Sequence, residues 1–246
     1  MSNHLVTDYV LAGALATLAA LLFGLRRVLA HRAISVLLGA WFFAALGSTW
    51  SGFYQGQSSR VPTIQYGLLI PIVAGILLFR WWKALRQTVE SVPQAWIVTI
   101  QVYRVLGAIF LILYAAGRMP GEFAWPAGVG DILVGLLAPV VAIAYARRLP
   151  GSTVLLWAWN LFGIADLVEA AILGFLTSPS PLQRLAFDRP NTLISSFPLA
   201  LIPVFLVPLS VLLHLASLAK LRRTPTIPGP LAPRDRRLHP SYSDDR

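Results

Sequence analysis

Seven stretches of this chain, at about residues 5 to 25, 33 to 54, 61 to 82, 96 to 117, 128 to 146, 152 to 176 and 193 to 219, are long and apolar enough to cross a membrane as helices. At 1.5 Å per residue, about 20 residues cover the ~30 Å hydrocarbon layer. Within that layer no water satisfies the backbone, so a spanning segment of this length must bond to itself as a helix. The fold expected is an all-α membrane protein, a bundle of about seven transmembrane helices. Composition agrees: 57% of the 246 residues are hydrophobic and 12% are charged, about half the charged share of an average soluble domain.

The net charge of +10 would suit a nucleic-acid binder only if the basic residues shared a soluble face. They lie between the apolar spans instead, where they set topology and meet anionic lipid headgroups. On one side fall Arg26, Arg27, Arg32, Arg80, Lys83, Arg86, Arg147, Arg148, Lys220, Arg222, Arg223, Arg234, Arg236, Arg237 and Arg246; on the other only Arg60, Arg118, Arg184 and Arg189. The first side is expected to be cytoplasmic, which puts the N-terminus outside and the C-terminus in the cytoplasm. Trp81, Trp82, Trp96 and Trp157 then fall at the inner interface and Trp50, Phe53, Tyr54 and Trp125 at the outer one. The first apolar segment has its Arg26–Arg27 pair after it rather than before it, so it reads as a retained span and not as a signal peptide. Residues 1 to 220 form one membrane domain, and 221 to 246 read as a disordered, basic cytoplasmic tail. The partners expected are membrane lipids, with anionic headgroups at the cytoplasmic face, and an unidentified small solute; no nucleic acid is expected.

Function classes are narrowed by absence. The sequence has no cysteine, which excludes disulfides, thiolate metal sites and cysteine nucleophiles. Of His4, His31, His214 and His239, only His214 falls inside a span, so haem or zinc ligation has no ligand set and neither a cofactor nor a metal is expected. Lys220 lies at the edge of the last span, which disfavours a retinal pigment. No phosphate-binding loop, dinucleotide fingerprint or hydrolase elbow appears.

Attention therefore falls on polar residues within the spans, each of which needs a partner, a watery cavity or a place near the interface. Counted by helical rise, Gln65, Arg118, Asp131, Asp166 and Glu169, with Ser48 and Thr49, form an outer layer. Gln101, Arg104, Asn160 and His214 form an inner one. Arg104, Leu111 and Arg118 are spaced by seven, with Ala108 and Ala115 between them, which predicts one inward face of span four. Asp166 and Glu169 are three apart and share a face of span six, with Arg118 as the expected partner. Three readings stay open: structural pairs that lock helices together, a functional polar cavity, or interfacial exposure of Asp131 and Glu169.

Gly128-Val-Gly-Asp131-Ile-Leu echoes Gly163-Ile-Ala-Asp166-Leu-Val and brings one aspartate from each of two antiparallel spans to the outer half. Pro198, Pro203 and Pro208 should kink or break the outer two-thirds of span seven. Residues 117 to 128, rich in Gly and Pro, read as a turn-forming segment that dips into the outer leaflet.

The runs Gln101-Val-Tyr-Arg104, Gly128-Val-Gly-Asp131, Asn160-Leu-Phe-Gly163-Ile-Ala-Asp166 and Phe197-Pro198 through His214 resemble a group of uncharacterised bacterial inner-membrane proteins over roughly residues 96 to 220. The resemblance implies a setting in the bacterial cytoplasmic membrane and no activity. From the residues themselves, the leading expectation is a small permease or a solute- or proton-binding protein, with an acidic cavity lined by Asp131, Asp166, Glu169 and Arg118 and continued inward by Arg104 and Asn160. A membrane-embedded enzyme acting on a lipid or isoprenoid is the second reading, an accessory or sensory subunit the third.

Overall fold

The computed structural model describes residues 3–26, 31–55 and 61–223; the tail expected over 221–246 lies outside them beyond Arg223. Among the described residues, seven helices are long and apolar enough to cross a membrane: Asn3–Leu25, Arg32–Trp50, Ile64–Trp81, Gln94–Ala115, Gly121–Ala146, Ser152–Thr177 and Ile202–Arg223, spans one to seven. They describe a multi-pass membrane protein. Alternation of direction sets the N-terminus and the connections after spans two, four and six on one face, called here the N-terminal face. The connections after spans one, three and five lie on the opposite, C-terminal face. A short amphipathic helix, Lys83–Ser91, joins spans three and four. Lys220, near the end of span seven, donates to the carbonyls of Val89, Glu90 and Val92 at its C-terminus, where backbone acceptors are otherwise unpaired.

Spans five and six form the centre of the bundle with spans four and seven, and glycine governs how closely they approach. A Cβ on Gly135 would meet the backbone of Val102 and Val105, and one on Gly128 would meet Leu111 and the Gly107 carbonyl. Small residues allow such backbone contact between membrane helices. Span three is peripheral, seated on span seven where Gly67 faces Val204 and Gly75 faces Leu212.

Span five begins seven residues earlier than the sequence suggested. Span four ends at Gly117, whose φ of +68° is the left-handed closing residue; Arg118 N–H donates back to Leu113 O and Gly117 N–H to Tyr114 O. Pro120 then precedes the new helix, where its fixed φ costs nothing, and Glu122 lies in the first turn, where negative charge suits the helix dipole. Pro126 forfeits only one bond, to the Glu122 carbonyl. The other two glycines taken as turn formers are packing residues: Gly121 makes room for Tyr114 and Gly128 for Leu111.

Two spans depart from α geometry at membrane depth. Span four is α-helical over Gln94–Thr99, 3-10 over Ile100–Gly107 and α again over Ala108–Ala115. Span seven is preceded by a 3-10 turn at Leu193–Ser195 and a turn over residues 197–200, runs as a π-helix over Ile202–Leu206, and becomes α at Val207. Pro208 has no N–H to give the Val204 carbonyl, and Trp41 Nε1 of span two donates to that carbonyl at 3.3 Å. Tyr103 of span four donates to Leu206 O at 3.1 Å and contacts Ser210 Oγ at 2.6 Å. The irregular backbone survives because it is covered: Leu199, Ala200, Leu201, Val204 and Phe205 are buried, the condition membranes set for non-α segments.

Candidate functional site

The 3-10 segment decides which side chains of span four face inward. At three residues per turn, positions three apart eclipse, so Gln101, Arg104 and Gly107 form one buried row. The row that starts at Arg104 ends before Arg118, because the helix of span four closes at Ala115 and Gly117 turns left-handed. Arg104 is 3% exposed, while Arg118 is half-buried at the N-terminal face and donates to Asn3 Oδ1 at 2.8 Å.

Arg104, and not Arg118, is the partner of both membrane aspartates. Its Nε donates to Asp131 Oδ1 at 2.8 Å, and its Nη2 donates to Asp166 Oδ2. Its Nη1 donates to the Gly163 carbonyl and to His214 Nε2, each at 3.2 Å. The planar guanidinium fork suits this arrangement, since it presents several donors in fixed directions. The two aspartates of the echo thus converge on one cation, although their glycines serve different ends. Asp131 packs against Gly107, Asp166 lies over Gly130, and Gly163 makes room for the His214 ring and for Arg104 Nη1.

From Arg104 a chain of hydrogen bonds descends toward the C-terminal face. A guanidinium only donates, so His214 Nε2 accepts and its Nδ1 carries the hydrogen. That Nδ1–H donates to Asn160 Oδ1 at 3.0 Å. Asn160 Nδ2 donates to Leu156 O at 2.8 Å and Ser217 Oγ at 2.9 Å, and Gln94 Nε2 donates to Ser217 Oγ at 2.6 Å. Trp159 holds the imidazole from the side, its ring 4.8 Å from that of His214 and its Nε1 bonded to Val134 O at 3.2 Å. All four members are buried. Asn160→Leu would leave the His214 Nδ1–H without its acceptor and is expected to cost about 1–3 kcal/mol. Thermal unfolding in detergent reads this; an unchanged midpoint would mean the chain of bonds does not form.

The two polar layers of the sequence reading are therefore one cluster. The 3-10 segment rises about 0.5 Å more per residue than an α-helix, and the long Arg104 side chain reaches the aspartates from there. Several expected members fall elsewhere. Glu169 is exposed on the outside of span six, and Gln65 is half-buried in the first turn of span three. Ser48 and Thr49 bond to carbonyls of their own helix, as such residues do when satisfied locally. Gln101 is fully buried, and neither its Nε2 nor its Oε1 has a partner among the described residues. Sequence reasoning left out Gln94, Ser217, Tyr103 and Ser210; in an apolar helix a lone serine or glutamine gives no signal until its neighbour across the bundle is known.

Above the cluster lies a cavity of about 60 Å³. Its walls come from spans three to seven, among them Phe110, Phe123, Leu167, Phe175 and Ile202, and Asp131 is the charged residue among its lining. Tyr54, Pro62, Ser178 and Ser195 place its mouth at the N-terminal face. A smaller space of about 20 Å³, lined by Tyr103, Arg104, Asp131 and Ser210, shares Asp131, Leu167, Ile202 and Val207 with it. The carboxylate of Asp131 thus stands between the cavity and the guanidinium.

No curated protein and no solved structure matches the chain. A family model described as a domain of unknown function, DUF8737, matches residues 61–222, which takes in spans three to seven, every residue of the Arg104 cluster and nearly all of the cavity wall. That match covers more than half of the chain, and the protein belongs to the DUF8737 family.

Proposed function

We propose that the protein is a small permease that binds its solute in the cavity at the N-terminal face and couples binding to the charge state of the Arg104, Asp131 and Asp166 cluster. The observation that carries this reading is one guanidinium shared by two carboxylates directly beneath a cavity. With His214 accepting from Arg104, the cluster has one negative charge in excess, and a buried excess charge must be balanced by a proton or a bound cation. A purely structural lock would be balanced within itself. The bonded chain through His214, Asn160, Ser217 and Gln94 supports a route onward to the opposite face.

The orientation belongs to the same proposal. Of the described basic residues, Arg26, Arg32, Arg80, Lys83, Arg86, Arg147, Arg148, Lys220, Arg222 and Arg223 lie toward the C-terminal face, against Arg118, Arg184 and Arg189 toward the other. By the positive-inside rule the cavity opens outward from a cytoplasmic membrane, for which the resemblance suggests a bacterial setting. Exposed Trp81 on one side and exposed Trp50 and Trp125 on the other mark the two interfaces.

The test uses purified protein in vesicles with an internal pH-sensitive dye and a panel of small amines, polyols and carboxylic acids. At least one solute should drive proton movement with the native chain. Asp166→Asn, which removes the charge excess, should insert in equal amount and abolish that movement. Proton movement unchanged in Asp166→Asn would return the cluster to a structural role.

A further inference from the structure

The chemistry of the cavity narrows the class of solute, given the reading of it as a solute site. We infer that its occupant is a small monovalent organic cation, an alkylammonium of about four to six non-hydrogen atoms, whose charged end meets Asp131. Size comes first. One water needs at least about 10–15 Å³ of such space, so about 60 Å³ accommodates a handful of heavy atoms and no lipid-sized molecule.

Charge comes second. Asp131 Oδ1 is taken by Arg104 Nε, and Oδ2 accepts no hydrogen bond among the described residues. The side chain is 13% exposed, in contrast to Asp166 at 5%, so the excess charge of the cluster is presented where the cavity is. An anion would meet this carboxylate unopposed by any other charge in the lining. A neutral apolar molecule would leave the carboxylate oxygen without a donor, an unmade bond that is costliest for a charged group.

The walls come third. The rings of Phe110 and Phe123 meet edge to face at 5.1 Å, and Phe175 and Tyr54 add two more aromatic rings. Aromatic faces attract an organic cation and accommodate its alkyl part. A metal cation is poorly served: calcium or magnesium takes six or more oxygens, and the wall offers one carboxylate with the hydroxyls of Tyr54, Ser178 and Ser195. Among the described residues no three metal-ligating side chains cluster.

The experiment measures binding of n-butylammonium, n-butanol and n-butyrate to the full chain in lipid nanodiscs by calorimetry, with empty discs subtracted. The cation should bind at least about tenfold tighter than the isosteric alcohol, and butyrate weakest. Asp131→Asn should remove the tenfold preference and leave the alcohol bound as before. Should Asp131→Asn fail to fold, Ala171→Phe provides the second arm: Ala171 lines the cavity, and filling it should abolish binding of the cation. Equal binding of cation and alcohol, or a preference for butyrate, would overturn the inference of a cationic occupant and leave the solute-site reading standing. Binding of none of the three would overturn both.

Discussion

Arg104→Ala is expected to lower stability by about 3–5 kcal/mol, the cost of removing one partner from a buried ion pair and leaving its charge uncompensated. For a chain of this size that corresponds to a fall of roughly 6–20 °C in the unfolding midpoint. Two carboxylates, a backbone carbonyl and an imidazole nitrogen all depend on the one guanidinium, so no neighbouring side chain replaces it. Arg104→Lys should recover only part of the loss, because an ammonium is a point charge and cannot reproduce the planar fork. The informative companion is the triple variant Arg104→Met, Asp131→Asn, Asp166→Asn, which removes the cation and both anions together. Replacing a whole buried ionic cluster with neutral groups is often close to neutral, so most of the lost stability should return. Thermal unfolding of the purified variants in detergent reads both effects. A midpoint for Arg104→Ala within about 1 °C of the native chain would sink the description of the cluster.

The sequence made the spans legible because hydrophobic length is a local property: apolar runs long enough to cross 30 Å are visible residue by residue. Asp131, Asp166, Arg104 and Asn160 were legible for a related reason, as polar groups in a place where polarity is costly. Their pairing was not. The assignment of Arg118 to Asp166 assumed that span four stays helical through Arg118, whereas it closes at Ala115 and Gly117 turns left-handed before that residue. The start of span five was hidden by composition, since Gly121 and Gly128 look like turn formers until their neighbours show that each removes a Cβ from a helix contact. Span seven was readable because its prolines act on their own backbone; the donor from Trp41 that takes up the carbonyl freed by Pro208 lies more than 100 residues away in sequence.

Glycine substitutions should separate these roles by the sign of their effect. Gly130→Ala would place a methyl group into the space of the Asp166 carboxylate, in contact with its Oδ1 and Cγ. The carboxylate must then leave Arg104, so the cost combines overpacking of about 1–3 kcal/mol with disruption of a buried ion pair. Loss of about 3 kcal/mol or more is expected, and Gly163→Ala should behave similarly through the His214 ring and Arg104 Nη1. Gly47→Ala should do the opposite. It lies inside span two with nothing within 4 Å of a Cβ, and alanine there gains about 0.5–1 kcal/mol of helix propensity. A double-mutant cycle locates the cause: in an Asp166→Ala background the carboxylate is gone, and Gly130→Ala should then cost far less than it does alone. If the two effects simply add, Gly130 acts through its backbone and not by making room for Asp166, and the glycine-cradled geometry of the cluster is refuted.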